Sequence, residues 1–128
     1  MSSEPTYTAL VLHLDGTHDV ITVPRRTELA TFRALVNGDI EAVYGWTPAA
    51  VAGDGAFDVT FYGNDMSRIL NQPENVQATA LWWSLNPHAR GVDHLRGVVV
   101  VTGGANQDGD TLSVPERVVE VVRQAGGE

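Results

Sequence analysis

Chemistry in this chain has to come from four histidines, sixteen acids and a few hydroxyls, because it contains neither cysteine nor lysine. The histidines are His13, His18, His88 and His94. His88 and His94, with Asp93 between them, place two or three potential ligands in one stretch, but their spacing fits no recurrent metal motif. His13 and His18 flank Asp15-Gly16 and can face each other across a turn. All four are expected to be ordinary surface or half-buried histidines. Asp108-Gly-Asp110 has the look of a calcium loop. Were Asp108 its first position, the fifth would be Leu112 and the twelfth Val119, where an oxygen ligand and a glutamate are needed. Gly103-Gly104 follows an apolar run but lacks both glycine-rich phosphate fingerprints, and the next helix signal comes about ten residues later. No nucleophile elbow is present. These residues therefore assign no catalytic group, no metal and no cofactor.

Other residue types are better suited to binding than to reaction. Trp46 lies in a stretch rich in Gly, Pro and Ala, and Trp82-Trp83 are adjacent. Adjacent side chains point about 100° apart on a helix and to opposite faces on a strand, so one of the two can serve the core while the other faces outward. An outward tryptophan is a typical interface anchor. Asp54, Asp58 and Asp65, with Asp39 and Glu41, are candidates for an acidic surface. Asn64, Asp65 and Asn75 are candidates for a ligand pocket where two polar loop clusters could converge. Asn75, after Pro73-Glu74 and before an Ala-rich run, also suits a helix N-cap, and that structural role is the stronger reading.

The whole-chain numbers point the same way. The 128 residues carry a net charge of -8, and all eight cations are arginines. Such a balance disfavours binding to a phosphate backbone and favours solubility and basic partners. The missing lysine suggests a GC-rich coding bias. The length fits one domain that buries about two-thirds of its unfolded surface without a staple. No apolar run approaches the roughly 20 residues of a membrane span, and the polar, acidic N-terminus has no signal-peptide pattern. A reducing cytoplasm is the expected setting.

The elements that must position these residues can be read in order. Residues 1–6 form a polar tail and 7–125 the domain. Residues 7–14 and 17–23 are strands of a hairpin around Asp15-Gly16, a type I′ signal. Thr27 is placed to cap a helix whose apolar face is Leu29, Phe32, Leu35 and Val36, with Asn37-Gly38 as its exit. A strand at 39–44 follows, then a long loop at 45–56. A strand at 57–62 has Phe57, Val59 and Phe61 facing the core, and Gly63-Asn64-Asp65 forms a turn. Residues 66–71 suit a short helical turn and 75–85 a helix. The four-valine run at 98–101 suits a strand buried on both faces. Ser113 caps a last helix with Val118, Val121, Val122 and Ala125 on its apolar face, and Gly126-Gly127 ends it. The fold class is α+β: one small domain, a mixed or antiparallel sheet of about five strands, and helices packed on one side.

Several of these pieces, in this order, carry a resemblance. They are the opening strand with Asp15-Gly16, the helix leading into residues 36–41, the stretch 72–79 containing Asn75, and the run from Leu95 to Gly103 before a final helix. Together they resemble a family of small uncharacterised domains of phages, plasmids and actinobacteria. That family has an Asn-Glu-Glu-Gly-like turn after its fourth strand, where this chain has Gly63-Asn64-Asp65. The resemblance implies a fold and a mobile-element origin, and no chemistry.

Three functions remain open on the sequence. The first is a non-enzymatic interaction protein of a phage or mobile element, acting in the host cytoplasm on a host or defence protein through an acidic surface with an aromatic centre. Self-association into a homodimer would use the same kind of surface. The second is a small-ligand or nucleotide-binding domain, or an enzyme without a recognisable motif, with its pocket near Asn64, Asp65 and Asn75. The third is a DNA mimic, whose acids would stand in rows on one face.

Overall fold

The computed structural model describes residues 4–125. The tail expected at 1–6 lies outside it only for residues 1–3, and the closing glycines Gly126 and Gly127 lie outside it too. Strand β1 (Thr6–Leu12) pairs antiparallel with β2 (His18–Pro24) in unbroken register, from Thr6 opposite Pro24 to Leu12 opposite His18. Thr6 is therefore in the sheet, and Pro5 accepts a hydrogen bond from the Arg25 N–H at 3.0 Å. The turn is not the two-residue type I′ form. Of Asp15 and Gly16 only the glycine has positive φ, at 89°. The loop is closed instead by His13 N–H donating to the Thr17 carbonyl at 3.0 Å. The Asp15 carboxylate accepts from the Thr17 hydroxyl at 2.6 Å and the Thr17 N–H at 2.9 Å. Those bonds, the hydroxyl's foremost, hold its carboxyl below the usual range. His13 and His18 do not face each other, and His13 Nε2 lies 2.8 Å from Asp19.

A 3-10 turn (Arg25–Thr27) leads into α1 (Glu28–Val36). Thr27 makes no side-chain cap. The Glu28 carboxylate is taken by the Tyr7 hydroxyl, whose pKa burial pushes upward, with Glu28 adding to the shift. Phe32 and Val36 are buried as expected, but Leu29 is 46% exposed. Asn37, at φ 60° and ψ 48°, makes the left-handed exit.

Strands β3 (Ile40–Gly45) and β4 (Val59–Asn64) pair antiparallel along their whole length. Two boundaries moved. The expected long loop between them contains a short helix, α2 (Pro48–Ala52), which Pro48 starts. β4 begins two residues later than expected and runs through Gly63 and Asn64. Phe57 lies outside the strand and packs on Tyr44, with ring centroids 4.3 Å apart. Residues 65–71 form turns, with a single helix-like bond from Leu70 N–H to the Met66 carbonyl at 2.8 Å. Then come α3 (Val76–Leu85), β5 (Val99–Gly103) and α4 (Glu116–Ala125). Ser113 does not cap α4: its hydroxyl oxygen accepts from the Thr8 N–H at 3.0 Å, tying the approach segment to β1.

The strand order is β2-β1-β5-β4-β3, antiparallel throughout, in a single α+β domain. β5 is central, and Val99, Val100 and Val101 are fully buried. Alternation along the strand sends Val99 and Val101 to one face and Val100 to the other. Leu10, Leu12, Val59 and Phe61 join the first pair, beneath Leu81 and Trp82 of α3 and Val118 and Val122 of α4. Tyr7, Ala9 and Val23 join Val100 beneath Phe32 and Val36 of α1. The helices thus cover both faces, where one face was expected. A central strand apolar on both sides requires it, since either face left open would put valine side chains in water. Among the described residues no helix is long and apolar enough to cross a membrane.

Candidate functional site

Two candidate pocket residues turn out to hold the frame together. Asn75 is fully buried. Its side-chain oxygen accepts from the Ala78 N–H at 3.1 Å, the N-cap bond of α3. Its amide donates to the carbonyls of Leu12 at 2.9 Å and Gly97 at 2.8 Å. One side chain thereby joins the start of α3, the end of β1 and the approach to β5. Asn64 does the same at the end of β4. Its amide donates to the carbonyls of Val36 and Asn37, both at 3.1 Å, and its oxygen accepts from the Met66 N–H at 2.8 Å. It thus satisfies carbonyls that the end of α1 leaves free. Gly38 makes room for it, since a Cβ there would stand 2.6 Å from the Asn64 amide nitrogen.

The tryptophans separate by role. Trp82 is in the core at 5% exposure and donates its indole N–H to the Tyr44 carbonyl at 3.0 Å. Trp83 is half-buried against that core; its indole N–H donates to the Asp93 carbonyl at 2.8 Å, and His94 meets its ring edge-on at 5.1 Å. Trp46 is half-buried, with its indole N–H on the Gly55 carbonyl at 2.9 Å.

Trp46 forms one wall of an open groove of about 610 Å³ between α2 and the C-terminal end of α3. Pro48 and Val51 come from α2, and Leu85, Pro87 and His88 from the end of α3 and beyond. Gly45 allows the close approach that forms its base: a Cβ there would stand 2.9 Å from the Leu85 Cβ. The Trp46 N–H donates to the Leu85 carbonyl at 2.8 Å. Val51 is 71% exposed on this lining, unusual for a valine in a helix. The sequence showed Trp46 as a candidate but not its neighbours, which lie some forty residues apart and meet only in the fold.

A second depression, a polar cleft of about 350 Å³, lies over the sheet face that carries α3. Val43, Phe61 and Val99 form its floor. Glu41, Asp65, Ser67, Arg68, Asp93, His94 and Arg96 supply its polar lining, and the Arg96 Nε is buried there without a hydrogen-bond partner among the described residues. Asn64 borders it and Asn75 does not, so the three pocket candidates do not converge.

The acids do not form one row. Asp58 turns inward, accepting from the Thr47 N–H at 2.8 Å and from the Thr47 hydroxyl, and so fixes the start of α2. Asp54 is exposed after α2, its carboxylate accepting from the Ala56 N–H at 2.9 Å. Asp39 pairs with Arg33 at 3.2 Å and Asp93 with Arg68. His94 pairs with Glu74 at 2.6 Å, and this contact holds the Glu74 carboxyl below its usual range. Among the described residues no three His, Asp or Glu side chains gather as metal ligands. Asp108 and Asp110 are exposed, with their backbone N–H groups on the Asn106 side chain, both at 2.9 Å. Gly103 and Gly104 serve close packing: Cβ atoms there would stand 2.4 Å from the Ser113 carbonyl and 2.6 Å from that of Phe57.

The layout is a small α+β domain with a buried polar frame, an apolar groove beside Trp46 and a polar cleft over the sheet. Over residues 7–125 the chain matches the family described as Domain of unknown function (DUF3846), and it belongs to that family. Neither a curated protein nor a solved structure matches it.

Proposed function

We propose that the protein is a non-enzymatic interaction protein of a phage or other mobile element of actinobacteria, acting in the host cytoplasm on a host or defence protein. The observation that carries this reading is the Trp46 groove. Its lining is mostly apolar and aromatic; Ser84 and His88 also line it, but the Ser84 hydroxyl donates to the Leu81 carbonyl at 2.6 Å, so the groove suits an apolar anchor from a partner better than a reaction. The exposed Asp54 beside it and the overall charge of -8 favour a basic partner. A DNA mimic draws less support, since Asp58 is turned inward and Asp39 is paired with Arg33.

The test is affinity capture from an actinobacterial host with the parent chain and with Val51→Glu in parallel. Val51 is exposed, so the variant should fold, while a charge in the groove should weaken an apolar anchor by about 2 kcal/mol or more. A partner retained by the parent and lost by Val51→Glu is the expected result. Equal retention of the same proteins by both would remove the groove from the account. Sizing of the purified chain separates self-association from a foreign partner.

A further inference from the structure

The two outer edges of the sheet are not alike. At β3 the outer side is engaged: the Tyr44 carbonyl takes its hydrogen bonds from the Trp82 indole at 3.0 Å and the Asn86 amide at 2.9 Å. β2 is the other edge. In an antiparallel pair only every second residue turns its N–H and C=O toward the neighbouring strand. His13 N–H donates to the Thr17 carbonyl and Arg25 N–H to the Pro5 carbonyl, each at 3.0 Å, so on β2 the odd-numbered residues face β1. The backbone groups of His18, Val20 and Thr22 therefore point outward, and no hydrogen bond reaches them among the described residues. Open edges of folded proteins are commonly guarded by a bulge, a proline or a charge, lysine above all. On β2 these guards are missing or spent. Its register with β1 is unbroken, its proline is the last residue, Pro24, and the chain has no lysine. Its one acid, Asp19, is taken by His13 at 2.8 Å. Val20 sits in the middle of this edge at 49% exposure.

A groove of about 590 Å³ lies between this edge and α4. Thr8 and Val20 line it from the sheet, and Glu116, Val119, Glu120 and Arg123 from the helix. Those four helix positions recur at i, i+3, i+4 and i+7, which makes them one stripe. The stripe runs from an acid at its N-terminal end to an arginine at its C-terminal end. A two-fold axis reverses direction, so in a second copy Arg123 comes opposite Glu116 and Glu116 opposite Arg123. The stripe is thus complementary to itself, as a two-fold interface requires. With Arg117 the groove holds two acids and two arginines, and so carries none of the excess negative charge that would drive two copies of this chain apart.

We propose that β2 pairs antiparallel with β2 of a second copy, about a two-fold axis at Val20. That register sets His18 opposite Thr22 of the other copy and pairs all three outward residues. The two sheets become one continuous sheet. Val20 of each copy meets Val20 of the other, and the two α4 stripes close over them with Glu116 against Arg123. The Trp46 groove follows β3, at the opposite edge, and takes no part, so this dimer goes beyond the capture of a foreign partner proposed for that groove.

Sedimentation equilibrium of the full chain at physiological salt should show a monomer–dimer equilibrium. Val20→Lys puts two like charges at the axis, and Thr22→Pro removes an outward N–H that β1 does not use. Each should weaken dimerisation by about tenfold or more while the circular dichroism stays that of the parent. Arg123→Glu should weaken it too, and Glu116→Arg combined with Arg123→Glu should restore it. Because the chain has no cysteine, Val20→Cys reports on the axis alone. Mild oxidation should link it into a disulfide dimer, whereas Val51→Cys at the Trp46 groove should stay unlinked. Should Thr22→Pro fail to fold, Val20→Lys and the cross-link carry the test. A chain that stays monomeric at millimolar concentration overturns the proposal. So does a dimer that Val20→Lys leaves intact, or one that Val51→Cys links in place of Val20→Cys. A foreign protein strand held on β2 of a monomeric chain, seen as a captured partner lost with Val20→Lys, overturns it as well.

Discussion

Replacing Asn75 should expose how much of the fold hangs on one amide. Asn75→Ala removes the N-cap of α3, which costs about 1 kcal/mol. It also strips the amide donor from the Leu12 and Gly97 carbonyls, both in the interior. Leaving such acceptors without that donor costs about 1–3 kcal/mol each where no water reaches them. Since a carbonyl has a second lone pair and Leu12 also lies in a paired strand, the lower end of that range is appropriate. The expected loss is about 3–4 kcal/mol, a large part of the stability of a domain this size. Asn75→Asp separates the two causes. Aspartate caps a helix as well as asparagine does, so if the cap were the whole role this variant would be nearly neutral. Instead its carboxylate would face two carbonyl oxygens, and it should be at least as damaging as Asn75→Ala at neutral pH. Burial beside those oxygens raises the folded pKa of the new carboxyl above its unfolded value. Its stability should therefore recover as pH falls and be lost as pH rises through the folded value. Urea unfolding of both variants across pH reads this directly. An Asn75→Asp variant as stable as the parent at neutral pH would show that the amide bonds to Leu12 and Gly97 contribute nothing.

The tryptophan pair should divide in thermal melts: Trp82→Ala costs about 3–5 kcal/mol through a core cavity, whereas Trp83→Ala, half-buried with one indole hydrogen bond, costs about 1–2 kcal/mol. Equal losses would mean that their different burial is irrelevant. The Glu74 carboxyl should titrate by NMR below the ordinary glutamate range, and His94→Ala should move it back up. Because the folded value is the depressed one, any stability from this contact is present above the unfolded pKa and lost as pH falls through the folded value. An unchanged midpoint in His94→Ala would dismiss the pairing.

What could be read from the chain beforehand follows the range of the interactions involved. α3, the β1–β2 hairpin and the two-sided burial of β5 rest on periodicity and composition within ten residues or so, and these were legible. The cap role of Asn75 was legible too, because its bond to Ala78 is local, but the bonds to Leu12 and Gly97 span 63 and 22 residues and leave no local mark. The same distinction explains the misplacements. Thr27 and Ser113 are good caps by type, yet Thr27 makes no cap bond and Ser113 is claimed by Thr8, more than a hundred residues away in sequence. Asp58 looked like a surface acid because nothing nearby shows that Thr47 will be folded onto it. The placement of helices on one side failed even though its contradiction was already present: a strand apolar on both faces at the centre of a sheet needs cover on both. The groove and the cleft are of the same long-range kind. Each is a space left between segments, framed at Gly45 by the close approach of Leu85 and opened at Gly63 by a missing side chain. A glycine in a strand is read from sequence as a weak point. In this fold two of them, at opposite ends of one hairpin, give the molecule its groove and its cleft.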